Sequence, residues 1–157
     1  MDGIGYYHSP IGWLEVTSRN ERLISMSFVD ERAENVETPL IARTLAELDE
    51  YFHRGRKTFS APLQPDGTDF QRKVWAELLT IPFGKSLTYT DIAQRLGDLK
   101  AIRAVGTAIG QNPLPIIIPC HRVIGRDGDL TGYMGGLERK KWLLQHEGAM
   151  GEQTAIF

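Results

Sequence analysis

A cysteine, a histidine and an arginine stand side by side at Cys120-His121-Arg122, inside the stretch "NPLPIIIPCHRVIG" that runs from Asn112 to Gly125. Cys120 is the only cysteine of the 157-residue chain. A free thiol ionises at about pH 8.5, so only a few per cent is thiolate at neutral pH. A nearby base or cation raises that fraction, and the thiolate is the nucleophile. His121 offers the base and Arg122 the cation. A third group should orient the imidazole, and Glu147 in "LLQHEG" is the candidate. A cysteine without context is a small core residue; here the neighbours favour nucleophilic chemistry. One thiol forms no internal disulfide and excludes a zinc site built from several cysteines, which fits a reducing, intracellular compartment.

The element that must deliver this thiol is "PIIIPC", a short apolar run bounded by prolines, which reads as a buried extended segment. In a regular strand neighbouring side chains point to opposite faces. Cys120 and His121 then work together only if the backbone turns here or a water carries the proton between them.

Upstream, the second half of the chain reads as helices joined by short turns. Thr68 and Gln71 fit a capping box ahead of an apolar stripe of Phe70, Val74 and Leu78. "IPFGKS" breaks that helix. Thr88 and Asp91 open the next one, which carries Ile92, Ala93 and Leu96 and closes at Gly97. Another helix follows from about Lys100 to Gln111, and Pro113 and Pro115 prevent its continuation. This is the helix-turn-helix pattern, which two packed helices with no DNA role also satisfy. Small residues recur in its second helix: Ala101, Ala104, Gly106, Ala108 and Gly110. Two glycines inside a helix cost roughly 1 kcal/mol each relative to alanine. Either the helix packs tightly within the protein, or another surface, such as a duplex groove, comes close, with Arg103 as a lone projecting cation.

The first half reads as strands followed by a helix. "GWLEVTS" and "LISMSF" alternate apolar and polar residues, with Arg19-Asn20-Glu21 as a hairpin turn between them. Thr38-Pro39 then opens a helix whose stripe is Ile41, Leu45, Leu48 and Phe52, ended by Gly55. A short strand is expected around Lys57–Ser60. "APLQPDGTD" is rich in Pro, Gly and Asp and reads as a linker. The expected organisation is α+β: a small N-terminal α/β domain over residues 1–66, a mostly helical domain over 67–150, and a tail over 151–157.

Composition is that of an ordinary soluble globular protein. The net charge of −2 by itself argues against a nucleic-acid binder, but its distribution is uneven. Residues 1–68 carry seven Lys/Arg and eleven Asp/Glu (−4), whereas residues 69–157 carry eleven and nine (+2), so an anionic partner should prefer the second half. No apolar run approaches the ~18 to 20 residues that span a bilayer, and the N-terminus lacks the pattern of a signal peptide.

Several stretches together resemble the O6-alkylguanine-DNA alkyltransferases. They are "IPCHRVIG" preceded by "NPLPI", "TGYMGGLERKKWLLQHEG" after it, and "TDFQRKVWAELLTIPFGKSLTY" upstream. The match runs from Thr68 to Gly148 and is weaker over the first half, where "HSPIGWLEV" is also typical. The resemblance implies a ribonuclease H-like first domain and a winged-helix-like second one. It implies a single-turnover methyltransferase that moves an alkyl group from O6 of guanine, and also from O4 of thymine, in DNA to its own cysteine, without cofactor or metal. By similarity Cys120 is the acceptor, His121 the base acting through water, and Glu147 the group that orients it. Asn112 braces the backbone, and Tyr89 donates a proton toward N3 of the departing guanine. Arg103 is the finger that enters the duplex. Ala101, Ala104, Gly106, Thr88 and Arg122 join it at the DNA, with the helix in the minor groove. Tyr133, Met134, Gly135 and Val123 shape the pocket, and Lys140 helps hold its loop. The implied partner is double-stranded DNA carrying O6-alkylguanine, with a protein that is monomeric, cytoplasmic (nuclear in a eukaryote) and free of membranes.

Elementary chemistry agrees at several points. A buried thiol does not reach O6 of a stacked guanine, so the nucleotide must be flipped out, at a cost of a few kcal/mol that a side chain filling the gap offsets. Attack on saturated carbon needs a thiolate, alignment and a proton for the leaving base. The thioether formed offers water no carbonyl, so one molecule acts once.

This sequence departs from the family pattern in places. Ile102 and Thr107 are bulkier than the residues often found there and affect how deeply the helix sits. Met134 replaces a small residue, often serine, with two consequences open: a lost hydrogen bond to guanine O6, or altered tolerance for larger alkyl groups. With no cysteine in the first half, His8 and His53 read as surface or structural residues rather than zinc ligands. Three alternatives compete: a non-catalytic lesion binder of the same fold, which would lack the cysteine; a cysteine hydrolase, which leaves the helix-turn-helix unexplained; and a DNA-binding regulator, whose recognition helix would carry polar base-reading side chains.

Overall fold

The computed structural model describes residues 2–128, 130 and 132–149, so the expected tail, 151–157, lies outside the described residues. The chain divides into two units with the boundary between Asp66 and Gly67.

In the first unit, β1 (Gly3–Ser9), β2 (Gly12–Arg19) and β3 (Arg22–Val29) form an antiparallel meander in that order. Asn20 and Glu21 make the tight β2–β3 turn with φ of 53° and 60°, the left-handed pair that matches strand twist. Helix α1 (Pro39–Arg54) starts at Thr38, whose side chain accepts from the Ile41 N–H, with proline in the first turn, and ends at Gly55 with φ 75°. Its stripe of Ile41, Leu48 and Phe52 is buried. β1 shows no apolar alternation because its buried positions are Gly3, Gly5 and Ser9. A Cβ on Gly3 would lie 2.7 Å from Ile41 Cγ1, so the missing side chains let α1 come close. No strand forms at Lys57–Ser60; the chain there is irregular, and the sheet contact comes later, as a single bridge from Leu63 to Leu23. Ser60 instead serves Glu47, whose carboxylate accepts from the Ser60 N–H at 2.9 Å and the Ser60 hydroxyl at 2.5 Å.

In the second unit, α2 (Asp69–Leu78) and α3 (Tyr89–Arg95) each open with a complete capping box, Thr68/Gln71 and Thr88/Asp91. Val74 and Leu78 are buried, but Phe70 remains 38% exposed and lies off the core stripe assigned to it. Gly97, at φ 82°, turns the chain, and Asp98 caps a 3-10 turn, Leu99–Ala101, that leads into α4 (Ile102–Gly110). The expected helix from Lys100 to Gln111 is thus shorter, with its first turn wound more tightly. Trp75 donates its indole N–H to the Ala108 carbonyl at 2.8 Å, tying α2 to α4. Two-residue strands β4 (Leu87–Thr88) and β5 (Val123–Ile124) pair in parallel, and α5 (Leu137–His146) closes the unit.

The run "PIIIPC" is not extended. It is a sequence of turns in which the Ile118 N–H donates to the Leu114 carbonyl at 2.8 Å and Ile116 sits at φ 74°. A β-branched residue in the left-handed region is strained by about 1–3 kcal/mol. Burial of Leu114, Ile116 and Ile118 over-determines the conformation. Burial was legible in this run; conformation was not, since an apolar run without a period fits any buried segment.

Among the described residues no helix is long and apolar enough to cross a membrane.

Candidate active site

Cys120–Arg122 form one turn of 3-10 helix between the buried turns and β5. Consecutive residues in such a turn are about 120° apart, so the objection that a strand would separate Cys120 from His121 does not arise. Cys120 is 5% exposed and His121 is fully enclosed.

His121 Nε2 lies 2.8 Å from Glu147 Oε2. The carboxylate stands at the C-terminal cap of α5 and accepts twice more from Arg122: Nε to Oε1 at 2.7 Å and Nη2 to Oε2 at 2.9 Å. Arg122 Nη1 donates to the Ile81 carbonyl at 2.6 Å. Burial alone would raise the Glu147 pKa, but its hydrogen bonds with His121 and Arg122 and the Arg122 charge outweigh it and hold the carboxyl well below the usual range. Burial pushes His121 down despite Glu147, so its imidazole rests neutral. An ionised Glu147 only accepts, so the imidazole proton sits on Nε2 and leaves Nδ1 with a free lone pair.

Arg122 is 6% exposed and its guanidinium faces inward, which removes it from the expected DNA contacts. Its place in sequence next to the cysteine concealed this, because the partner carboxylate lies 25 residues away. Two further positions were missed. The Ile81 carbonyl anchors Arg122, and Gly84, at φ 84°, passes so near α5 that an added Cβ would lie 3.2 Å from the Glu147 carbonyl oxygen. Both belong to "IPFGKS", which reads from sequence only as a helix breaker; its glycine was the available signal.

Asn112 is fully buried beyond the end of α4. It donates to the Ile118 carbonyl at 2.8 Å and accepts from the Leu114 N–H at 2.9 Å, spanning the strained turn. Burial pushes the Cys120 thiol up to about 11, while the Asn112 amide, the Lys140 charge and local backbone N–H groups pull the other way.

The loop at residues 132–136 is pinned by side chains of α5. Lys140 on α5 is fully buried, with Nζ 3.5 Å from the Gly132 carbonyl and 5.9 Å from the centre of the Tyr89 ring. Burial lowers its pKa to about 8, against the pull of Cys120. The Gly136 N–H donates to Tyr133 O at 2.9 Å, and Arg139 Nη1 to Gly135 O at 3.2 Å. Met134 is 61% exposed, on the rim of this loop. Val123 is buried in β5. Among the described residues two buried side-chain polar atoms lack a partner: His121 Nδ1 and Tyr133 Oη. Each such group costs about 1–3 kcal/mol if left unsatisfied.

Tyr89 is the first residue of α3, directly after the capping Thr88. Its ring faces Gly106 of α4, where an added Cβ would lie 3.8 Å from Tyr89 Cδ1. Ala101 stands in the 3-10 turn, and Arg103 and Ala104 are exposed in the first turn of α4. No group of side chains suited to a metal ion occurs among the described residues.

Comparison with known proteins follows the same division of the chain. Residues 4–65 match the family model of the 6-O-methylguanine DNA methyltransferase ribonuclease-like domain, and residues 69–149 that of the DNA binding domain of the same enzymes. The constitutive methylated-DNA–protein-cysteine methyltransferase of Bacillus subtilis is 44% identical over 158 residues, covering 92% of this chain and 96% of that one. The crystal structure of Mycobacterium tuberculosis O6-methylguanine methyltransferase aligns with a TM-score of 0.85 at 38% identity, over 98% of this chain and 96% of that chain. A crystal structure of the M. tuberculosis protein in complex with DNA aligns with a TM-score of 0.83 at 41% identity, over 92% of each chain.

Proposed function

Because the chain belongs to the 6-O-methylguanine DNA methyltransferase family, we propose that it repairs DNA by a single, irreversible transfer of the alkyl group from O6 of guanine to Cys120. O4-alkylthymine is a second substrate. The observation that carries this reading is the turn Cys120–Arg122, which sets a buried thiol beside a histidine whose far nitrogen is fixed by an ionised carboxylate. With its pKa pushed up to about 11, the resting thiol is almost wholly protonated at pH 7. Burial therefore guards a nucleophile that is used once. Transfer begins when His121 Nδ1 takes the thiol proton through a water. The thiolate displaces the guanine from the alkyl carbon, and Tyr89 supplies a proton to N3 of the departing base. Glu147 stabilises the imidazolium that results. Lys140 and Asn112 hold the loop and the turn in register, and Tyr133, Met134, Gly135 and Val123 bound the base.

The DNA partner binds through the helix-turn-helix. Arg103 enters the stack, and Ala101, Ala104, Gly106 and Thr88 lie along the minor groove, where readout is degenerate and any sequence is scanned. The modest charge of the second unit implies weak, salt-sensitive binding by a monomer.

The test is to incubate the protein with a duplex carrying O6-methylguanine and measure the intact mass. A gain of one methyl per molecule, located on Cys120 and ending after one equivalent, is expected. No gain supports a lesion binder or a regulator, and repeated turnover rejects stoichiometric transfer.

A further inference from the structure

His121 Nδ1 and Tyr133 Oη are the two buried side-chain polar atoms without a partner among the described residues; His121 follows Cys120 in the same 3-10 turn, and Tyr133 is near enough to Cys120 to feel its charge. Orphaned buried polar atoms at a reactive centre mark a site for a polar ligand or a working water. Nδ1 carries a lone pair, for the reason given above. The phenol is a donor: burial first, and then the charge of Cys120, keep its pKa well above that of an ordinary tyrosine. The other charged groups that reach it are Arg139, acting in the opposite sense, and Glu147. Position is fixed as well. The Gly132 carbonyl is tied to Lys140 Nζ, the Tyr133 carbonyl to the Gly136 N–H and the Gly135 carbonyl to Arg139, so the loop holds Tyr133 on both sides. A buried water needs two to four polar partners. His121 Nδ1, Tyr133 Oη and the Cys120 thiol are three candidates for those partners.

The geometry points to Tyr133 as a positioning residue for activation of the nucleophile: its hydroxyl donates to the water that links the Cys120 thiol to His121 Nδ1. This rests on the reading of Cys120 and His121 given under Proposed function. In the step, the S–H bond breaks and its proton passes to the water while the water gives another to Nδ1. The products are a thiolate and an imidazolium paired with Glu147. The Tyr133 O–H bond stays intact and only aims the water's lone pair at the thiol.

The experiment compares the wild-type protein with Tyr133→Phe. With a duplex carrying O6-methylguanine, the methyl-transfer rate should fall about tenfold, the effect of one hydrogen bond to a reacting network. Affinity for an undamaged duplex, measured in a Cys120→Ser background, should stay within twofold. In protein carrying 15N-histidine, the His121 Nδ1 resonance should move toward that of an unbonded imidazole nitrogen, while Nε2, held by Glu147, stays in place. A merely structural role for Tyr133 leaves Nδ1 unmoved. An unchanged rate or an unchanged Nδ1 resonance overturns the inference. If Tyr133→Phe does not fold, 3-fluorotyrosine at position 133 keeps the shape and changes the acidity of the donor; rate and Nδ1 resonance should then both shift, and constancy of either overturns the inference. Failure of the wild-type protein to transfer methyl would instead sink the proposed function, and the Nδ1 resonance would still report on the hydrogen bond.

Discussion

Gly110→Ala should make the protein more stable and worse at holding DNA. Gly110 closes α4 with a helical backbone, and a Cβ added there meets nothing within 4 Å. Internal packing therefore does not require the glycine, and alanine should stabilise by about 0.5–1 kcal/mol through helix propensity and a less flexible unfolded chain. For a chain of this size that is a rise in Tm of roughly 1–4 °C. Arg103, Thr107 and Gly110 recur at helical spacing on the exposed face of α4. If that face lies against a groove, a new methyl displaces a close contact worth about 1 kcal/mol, or roughly a fivefold loss of affinity. Thermal unfolding followed by circular dichroism gives the first number. Fluorescence anisotropy with a labelled duplex, in a Cys120→Ser background, gives the second. A variant that gains stability and binds the duplex as well as before would refute the argument that this helix is thinned for DNA. A variant that loses stability would show that the glycine serves the fold instead. Gly106→Ala repeats the test where the new Cβ makes an ordinary 3.8 Å contact with Tyr89.

Three further outcomes follow from the site. Glu147→Gln leaves Arg122 and His121 without their shared carboxylate; urea denaturation should show a loss of about 3–5 kcal/mol, the usual effect of breaking a buried pair. Reaction of Cys120 with iodoacetamide in the DNA-free protein should titrate with a midpoint near 11, and in the unfolded protein near the ordinary value of about 8.5. The native state then keeps, between those values, a proton that the unfolded chain gives up, so the stability of wild type relative to Cys120→Ser should fall as pH rises through that window. Arg103→Ala removes an exposed side chain and should leave Tm unchanged, yet weaken repair in duplex DNA far more than reaction with a free alkylated base; equal losses on both substrates would reject the finger role.

How far such features were legible depends on the range of the interaction behind them. Thr38-Pro39, Thr68/Gln71 and Thr88/Asp91 act within one turn of helix, and each is where the sequence pattern puts it. The Asn20-Glu21 hairpin turn is equally local. β1 escaped because its signal is a pair of absent side chains, visible only against Ile41 on α1. The turns before Cys120 escaped because they are stabilised by the side chain of Asn112 and by the burial of three apolar residues, not by a backbone ladder with a period. The pairing of His121 with Glu147 could be read from residue type, whereas Arg122 was assigned the wrong face. Type tells what chemistry a side chain offers; only the fold tells which way it points.

Arg122 also explains why the site needs a tight turn. A strand would send His121 and Arg122 to opposite faces, and Glu147 could then serve only one of them. The 3-10 turn lets both reach the same carboxylate. The two ligands do different things to Glu147. Arg122 lends a permanent charge that keeps the carboxyl ionised, which makes it a poor owner of the imidazole proton. That proton stays on Nε2, and Nδ1 is left with its lone pair. With a less acidic Glu147 the proton could settle between the two groups, and Nδ1 would stiffen less reliably into an acceptor. Arg122 thus sets the tautomer of a histidine that it does not need to touch, and its burial, which removes it from the DNA, is the condition for doing so.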